Sequence, residues 1–251
     1  MNLDQVGLQL YTVRNETAQD FLGTLRRVAG MGYRAVEFAG LGDISPEDMR
    51  SALDEYGLRA LAAHTPIQAF REDASQAIAD VKTLGCEFAV IPFLSAEMRA
   101  DSNQVQQLAA ELNQVGAMCK DEGLGFAYHN HNFEFDEMDG TTMYYMLTES
   151  TDPDLVQLEL DVFWAQIAGV DPLALMEQYS GRIPLLHLKD MQQDGRSDAP
   201  VGEGVLPWDA LVSAGVKAGA QWFIVEQDHP HDAMEDVHTS LRNIEQMPDP
   251  A

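Results

Sequence analysis

The stretch Val6-Gly-Leu-Gln-Leu-Tyr-Thr-Val-Arg14 decides the fold class. It opens with an apolar run over residues 6–10, which predicts a buried strand, and a segment with helical spacing follows it. A doubly wound dinucleotide-binding domain would place a glycine-rich phosphate loop directly after this first strand. Residues 11–14 contain no glycine, so the stretch favours a closed barrel over an open sheet.

The same alternation of strand and helix recurs along the chain until it gives eight units. The predicted strands cover residues 6–10, 35–38, 58–63, 88–91, 125–129, 156–161, 185–189 and 222–226. Ser45 and Pro46 mark one helix start, and glycines before several strands mark helix ends. Eight units in 251 residues match a (β/α)8 TIM barrel, which we predict as one domain over residues 1–251.

The charge balance argues against several classes of partner. The chain has 41 acidic and 15 basic residues, a formal net charge of −26, which repels nucleic-acid phosphate and anionic membrane surfaces. Residues 1–5 leave no room for a secretory signal, and no apolar run approaches the ~18 residues of a membrane span. We therefore expect a cytoplasmic protein that binds neither nucleic acid nor membrane. Cys86 and Cys119 are expected to be buried reduced thiols.

Ionisable side chains collect at the predicted C-terminal strand ends, where barrels of this type build their sites. They are Glu37, His64, His129, His131, Glu159, Asp161, His187, Lys189, Glu226 and Asp228. Burying so many charges costs several kcal/mol per ion unless something neutralises them. A divalent cation does so, and a mixed carboxylate and imidazole set suits Mn²⁺, Co²⁺, Fe²⁺ or Zn²⁺ better than Ca²⁺. We expect one such ion, with Mn²⁺ as the first expectation.

Six segments also carry a family resemblance. They are VGLQLY at 6–11, YHNHNFEF at 128–135, ELDVFW at 159–164, LHLKD at 186–190, GEG at 202–204 and VEQ at 225–227. From residue 6 to about 245, the chain resembles the sugar phosphate isomerase/epimerase family. These are the xylose isomerase-like TIM barrels, which include inosose dehydratases and tagatose 3-epimerase-type enzymes.

The resemblance implies one metal ion at the ends of the fifth to eighth strands. Carried over by position, its ligands are Asp161, His187 and Glu226, with His129 as the fourth and His131 as its rival. Tagatose-type epimerases have a glutamate at this fifth-strand position, which serves as ligand and as one of two acid/base carboxylates. A histidine there is more similar to the dehydratase and keto-glycoside-processing branches.

The resemblance further implies a metal-dependent isomerase or epimerase that acts on a keto-sugar or cyclitol through an enediolate. One alternative is a lyase that eliminates water or alcohol from the same substrates, and another is a non-catalytic carbohydrate-binding barrel. A homodimer is compatible with the fold, because helical outer faces of such barrels often pair. The expected acid/base residues are Glu226, His131, Lys189 and Glu134, and the expected substrate-binding residues are Glu37, His64, Trp164 and Arg196.

For other residues near the strand ends, the sequence indicates a role less specifically. Phe93 and Trp164 are candidates for an apolar wall, and Glu159 is a candidate for orienting a ligand imidazole. The GEG turn at 202–204 is compatible with a plain loop before the seventh helix. The late histidines His229, His231 and His238 are expected on the surface.

Overall fold

Eight parallel strands close into a barrel in the computed structural model, which describes residues 2–247. The strands are β1 Val6–Gln9, β2 Ala35–Phe38, β3 Arg59–His64, β4 Phe88–Ile91, β5 Gly125–His129, β6 Gln157–Asp161, β7 Leu185–Leu188 and β8 Trp222–Val225. Neighbours pair in chain order, and Val6 of β1 lies opposite Phe223 of β8 at the seam. The predicted (β/α)8 barrel is confirmed. The predicted domain of residues 1–251 also includes Met1 and residues 248–251, which lie outside the described residues.

A helix follows each strand and covers the outside of the barrel. The principal helices are α1 Phe21–Met31, α2 Pro46–Tyr56, α3 Ile67–Leu84, α4 Ser102–Asp121, α5 Met143–Ser150, α6 Pro172–Gln178, α7 Trp208–Ala218 and α8 Ala233–Glu245. Ser45 caps α2 by accepting a hydrogen bond from the Asp48 amide, and Gly57 ends that helix with a φ of 71°. Over residues 2–247 no helix has both the length and the apolarity needed to cross a membrane.

Two helix starts differ from the sequence prediction. The periodicity predicts the third helix over residues 77–84, but α3 begins at Ile67 and continues across a non-helical residue, Asp73. The charged residues before that kink interrupt the apolar spacing, which is why the pattern missed the first turns. The fifth helix was predicted from residue 141. Thr142 instead has an extended backbone and caps α5 by accepting a hydrogen bond from the Tyr145 amide.

The core has two layers, one inside the barrel and one between the strands and the helices. The inner layer is formed by Ala35, Leu61, Ala62, Phe88, Val90, Ala127, Leu185, Trp222 and Ile224. Gly7 is required there, because a Cβ at this position would lie 2.2 Å from Cδ2 of Leu61. Cys86 and Cys119 are buried and free, as expected.

A buried arginine joins the connections around β6. The guanidinium of Arg182 donates hydrogen bonds to the main-chain carbonyls of Val156 at 2.9 Å and Thr148 at 2.7 Å, and to the Thr151 hydroxyl at 2.6 Å. These carbonyls lie at the end of α5 and just before β6. Arg182 therefore satisfies main-chain acceptors that would otherwise be buried without a donor.

We expect Arg182→Met to lower the free energy of unfolding by about 2–3 kcal/mol, because it leaves several buried acceptors unpaired. The measurement is urea unfolding followed by circular dichroism. Arg34→Met, at an exposed position, is the control and should change stability by no more than about 0.5 kcal/mol. Equal losses in the two variants would contradict this structural role for Arg182.

Candidate active site

A cavity of about 540 Å³ opens at the C-terminal ends of the barrel strands. Phe93 lines it, as the sequence suggested. The barrel thus brings predicted site residues from several separate strand ends to one space. Those that line the cavity are His64, His129, His131, Trp164, Lys189 and Glu226.

Four buried donors converge at the base of this cavity. His129, Asp161, His187 and Glu226 each offer one ligand atom, and these atoms all lie within 4.8 Å of one another. Oδ1 of Asp161 accepts a hydrogen bond from the Trp164 amide at 3.0 Å. Oδ2 of Asp161 is buried and accepts no hydrogen bond from residues 2–247. This oxygen, which lies 3.1 Å from the Lys189 ammonium, stands beside two imidazoles and a second carboxylate, a donor set that fits a divalent transition-metal ion.

Glu159 connects the imidazoles beneath these donors. Its Oε2 lies 2.8 Å from Nδ1 of His129, 2.9 Å from Nε2 of His64 and 3.3 Å from Nε2 of His187. Glu159 and Asp161 are two residues apart on β6, so both side chains point into the barrel. This contact matches the expected role of Glu159, since a carboxylate on one imidazole nitrogen fixes the ring for use of the other.

Glu37 lies at the bottom of the site and does not line the cavity. Its Oε2 is 2.9 Å from Nε2 of His187 and accepts a hydrogen bond from the side-chain amide of Gln9 at 2.9 Å. Nδ1 of His187 is 2.8 Å from Oε2 of Glu226. His187 is therefore held at both ring nitrogens, and Glu37 is placed to orient this ring. The sequence analysis had predicted Glu37 as a substrate-binding residue instead.

Charge compensation sets the protonation of the buried groups. Burial alone would lower the pKa of His187, but the charges of Glu159 and Glu226 outweigh it and raise that pKa well above its ordinary value. Burial would raise the pKa of Glu159, yet the charges of His187 and His64 hold it well below its usual range. Burial, then the charge of Glu159, raises the pKa of Glu37 to about 7. Glu159 therefore stays ionised beside a protonated His187, and the buried charges of the site compensate one another.

Lys189 is a buried ammonium surrounded by three carboxylates. Its Nζ lies 3.1 Å from Oδ2 of Asp161, 2.9 Å from Oε2 of Glu226 and 2.8 Å from Oδ2 of Asp228. Burial alone would lower the pKa of Lys189, but these charges raise it well above its ordinary value. The side chain is therefore a charged hydrogen-bond donor at the cavity wall.

His131 belongs to an aromatic wall. Its ring centroid lies 5.6 Å from those of Trp164 and Phe93. Burial, followed by the charges of His129 and Lys189, lowers the pKa of His131 to about 2. His131 is thus a neutral ring, and His129 rather than His131 belongs to the converging group of four donors.

Glu134, expected as an acid or base, is not brought to the cavity. Its Oε1 accepts a hydrogen bond from the Tyr128 hydroxyl at 2.7 Å, and its Oε2 accepts one from the His131 amide at 2.8 Å. Burial raises the pKa of Glu134 to about 7. Since both oxygens are turned toward the protein, this carboxyl is placed to fix the loop after β5 and not to contact substrate.

Arg196, expected to bind substrate, also lies away from the cavity. It is exposed in the turn between the short strands Asp190–Met191 and Asp198–Ala199. The Asp194 carboxylate accepts the main-chain N–H groups of Arg196 and Ser197 and holds the turn in this form. The antiparallel pair of strands, which the sequence did not predict, carries Arg196 to the surface.

Several residues that line or support the cavity were not among the predicted site residues. Tyr11 and Arg14 line it, as does the exposed His229, which was expected only on the surface, whereas Asp228, which also lines it, was among the ionisable residues expected at the strand ends. Arg14 donates a hydrogen bond to the main-chain carbonyl of Asp228 at 2.7 Å. Gln9 supports Glu37 from below. Gln9 had a usable signal, because it is a polar residue inside an apolar strand.

The GEG turn at 202–204 is more than a plain loop. It surrounds the buried carboxylate of Asp190, whose Oδ2 accepts the amides of Gly202 at 2.9 Å and Gly204 at 3.0 Å. The Trp208 indole donates to the same oxygen at 2.7 Å. Asp190 therefore fixes the connection from β7, which carries His187, to α7.

A closed parallel barrel with a buried imidazole and carboxylate group at its mouth defines a β/α barrel with a candidate metal centre. A family model described as xylose isomerase-like TIM barrel matches residues 25–246, and the chain belongs to this family. The resemblance read from the sequence is thus confirmed.

Curated relatives of the chain are inosose dehydratases. The protein from Geobacillus kaustophilus is 27% identical over 198 residues, which is 68% of this chain and 62% of that protein. The protein from Bacillus anthracis is 29% identical over 142 residues, which is 49% of this chain and 47% of that protein. The matched stretch therefore spans less than two thirds of the length of either relative.

Solved structures share the fold over nearly the whole chain. A sugar phosphate isomerase/epimerase from Parabacteroides distasonis has a TM-score of 0.86 at 27% identity, covering 99% of this chain and 96% of that one. The IOLI protein with a binding zinc atom has a TM-score of 0.73 at 17% identity, covering 96% of each chain. An L-ribulose 3-epimerase has a TM-score of 0.70 at 16% identity, covering 96% and 93%. The last two show the likeness of fold alone.

The two glycines Gly204 and Gly30 should respond in opposite directions to alanine. A Cβ at Gly204 would lie 2.2 Å from Oδ1 of Asp190 and 2.4 Å from the Met191 carbonyl, whereas a Cβ at Gly30 in α1 meets nothing within 4 Å. We expect Gly204→Ala to lower the melting temperature and Gly30→Ala to raise stability by about 0.5–1 kcal/mol. Calorimetry measures both, and an unchanged melting temperature for Gly204→Ala would contradict the tight turn around Asp190.

Asp161→Asn should weaken binding of Mn²⁺ or Zn²⁺ to chelator-stripped protein by at least about tenfold, because it removes an anionic oxygen from the group of four donors. Metal content after dialysis, read by mass spectrometry, is the measurement. Asp171→Asn is the matched control, since Asp171 also caps a helix but lies outside the site. Equal metal content in both variants would contradict a metal centre at Asp161.

Proposed function

We propose that this chain is a divalent-metal-dependent enzyme that removes the proton next to the carbonyl of a keto-sugar or cyclitol, with loss of a β-hydroxyl as the outcome. The observation that carries the proposal is the juxtaposition of four side chains that could hold a metal ion with the ion pair of Lys189 and Glu226 at the cavity wall. The inosose dehydratase relatives support the same reaction class.

His129, Asp161, His187 and Glu226 would hold the metal ion. When bound, such an ion supplies a Lewis acid that polarises a carbonyl and makes the adjacent C–H more acidic. Glu159 and Glu37 hold the imidazole rings at their other nitrogens and so fix the geometry of the donors. The native metal is then one that accepts mixed imidazole and carboxylate ligands, with Mn²⁺ and Zn²⁺ as the first to test.

Glu226 and Lys189 are placed to move the protons of an elimination. The carboxylate of Glu226 accepts the proton as the C–H bond breaks and its electron pair forms the C=C bond. The ammonium of Lys189 donates a proton to the departing hydroxyl, which leaves as water. Because the two groups are 2.9 Å apart, Glu226 can return its proton to Lys189, and the enzyme is restored without net gain or loss of a proton.

The distribution of charge around the cavity favours elimination or isomerisation over epimerisation. Across the closed barrel from β7 and β8, the loops after β3 and β4 contribute Pro66, Pro92 and Phe93 to the wall. Glu226 and Asp228, the carboxylates that line the cavity among residues 2–247, both follow β8. Epimerisation with two acid/base groups needs one on each face of the substrate. The opposite wall also carries the His64 imidazole, but both carboxylates and Lys189 stand on one wall, which suits proton removal and delivery on the same face.

Isomerisation is the second candidate, because the same wall can return the proton to the neighbouring carbon. The family resemblance implies an isomerase or epimerase before a lyase. The similar structure from Parabacteroides distasonis is a sugar phosphate isomerase/epimerase. Lys189, an acid beside the base Glu226, favours elimination over isomerisation. The two outcomes differ in whether water is lost.

The test is a proton NMR screen in D₂O against inososes, keto-glycosides and ketoses, using protein loaded with Mn²⁺, and with Zn²⁺ where paramagnetism broadens signals. We expect deuterium at the carbon next to the carbonyl and new alkene signals as water is lost. Lys189→Met should slow elimination by about 10²-fold or more, since a positioned acid contributes about 10²–10⁴-fold. Lys217→Met, at an exposed lysine of α7, should not.

The screen separates the candidate functions. Deuterium incorporation with a rearranged carbonyl and no loss of water would replace elimination by isomerisation. Saturable binding of sugars by metal-loaded protein with neither exchange nor elimination would contradict an enzymatic function and favour a carbohydrate-binding barrel. Full activity in the presence of a chelator would contradict the requirement for a metal.

A further inference from the structure

Lys189 carries a positive charge close to where a metal ion would bind. The proposed ligands of that ion, called here the metal-binding group, are His129, Asp161, His187 and Glu226. Its Nζ is 3.1 Å from Oδ2 of Asp161 and 2.9 Å from Oε2 of Glu226, and both carboxylates belong to the group of four. Metal–oxygen bonds are about 2.0–2.2 Å long, so an ion bound to both carboxylates would lie close to the ammonium. Two cations at such short range repel strongly in a buried site.

Among residues 2–247, Asp228 is the one carboxylate paired with Lys189 that lies outside the group of His129, Asp161, His187 and Glu226. The contact of Nζ with Oδ2 of Asp228, at 2.8 Å, has the geometry of a hydrogen bond, whereas the contacts with Asp161 and Glu226 are ion pairs alone. Asp228 therefore keeps a free acceptor for the ammonium when the other two carboxylates are occupied by an ion.

The main chain at Asp228 is firmly held. Arg14, just after β1, donates a hydrogen bond to the Asp228 carbonyl at 2.7 Å. The Asp198 carboxylate accepts the amides of Asp228 and, at 2.9 Å, His229. Asp198 belongs to the short strand pair after β7, so the position of Asp228 is fixed from two sides.

We propose that Asp228 is a positioning residue that draws the ammonium of Lys189 away from Asp161 when the metal ion binds and leaves it within reach of Glu226. The proposal rests on the proposed function, because it requires an ion at the group of four. Asp228 then has two effects through Lys189: it lowers the competition for the ion, and it holds the ammonium at the cavity wall.

A double-mutant cycle on metal affinity tests this role. Chelator-stripped wild type, Lys189→Met, Asp228→Asn and the double variant are titrated with Mn²⁺, and free Mn²⁺ is read by electron paramagnetic resonance. We expect Lys189→Met to tighten binding by about tenfold or more and Asp228→Asn to weaken it by a similar factor. In the Lys189→Met background, the effect of Asp228→Asn should shrink by at least about fivefold.

Controls and outcomes keep the two proposals separate. Glu203→Gln, at an exposed residue of the loop before α7, removes the same charge away from Lys189 and should leave affinity within about twofold. Equal weakening by Asp228→Asn in both backgrounds would overturn the proposal, because Asp228 would then act through its own charge. Unchanged or weaker binding in Lys189→Met would also overturn it. Failure of the wild type to take up Mn²⁺ or Zn²⁺ would contradict the proposed function itself.

Discussion

The structure depends on mutual compensation of unlike charges that are buried at one end of a closed barrel. Barrel closure brings strand ends from all sides to one small, buried space, where an unpaired ion is very costly. Oε2 of Glu159 alone lies within 3.3 Å of nitrogens from His64, His129 and His187. Each charged group is tolerated because of its neighbours, so these side chains hold one another in a fixed arrangement.

Much of this arrangement could be read from the sequence because it depends on short-range regularities. Alternation within a strand decides which side chains face the barrel interior, and strand order decides which ends are neighbours. These rules placed ten ionisable residues at the strand ends, and the family resemblance then singled out Asp161, His187 and Glu226, with His129 as the fourth. The same rules explain why His129 joins the group and His131 does not, since β5 ends at His129 and the chain turns after it.

The parts that the sequence could not predict depend on loop geometry. Glu134 follows β5 closely, but a short helical turn directs its oxygens to Tyr128 and to the main chain. Arg196 is carried outward by a strand pair only two residues long on each side. Arg14 and Asp228 meet because β1 and β8 pair at the seam. Such contacts between residues far apart in sequence leave no periodic signal in a single chain.

The position of Phe93 has a consequence for how such a barrel can change over evolutionary time. The ring is 53% exposed and touches His131 and Phe133 only through aromatic contacts, without taking part in the charged network. A replacement there alters the shape of the entrance and leaves the ionised groups below undisturbed. The shape of the entrance and the charged network are thus carried by separate parts of the molecule, so a lineage is free to change the entrance while the buried charges stay the same.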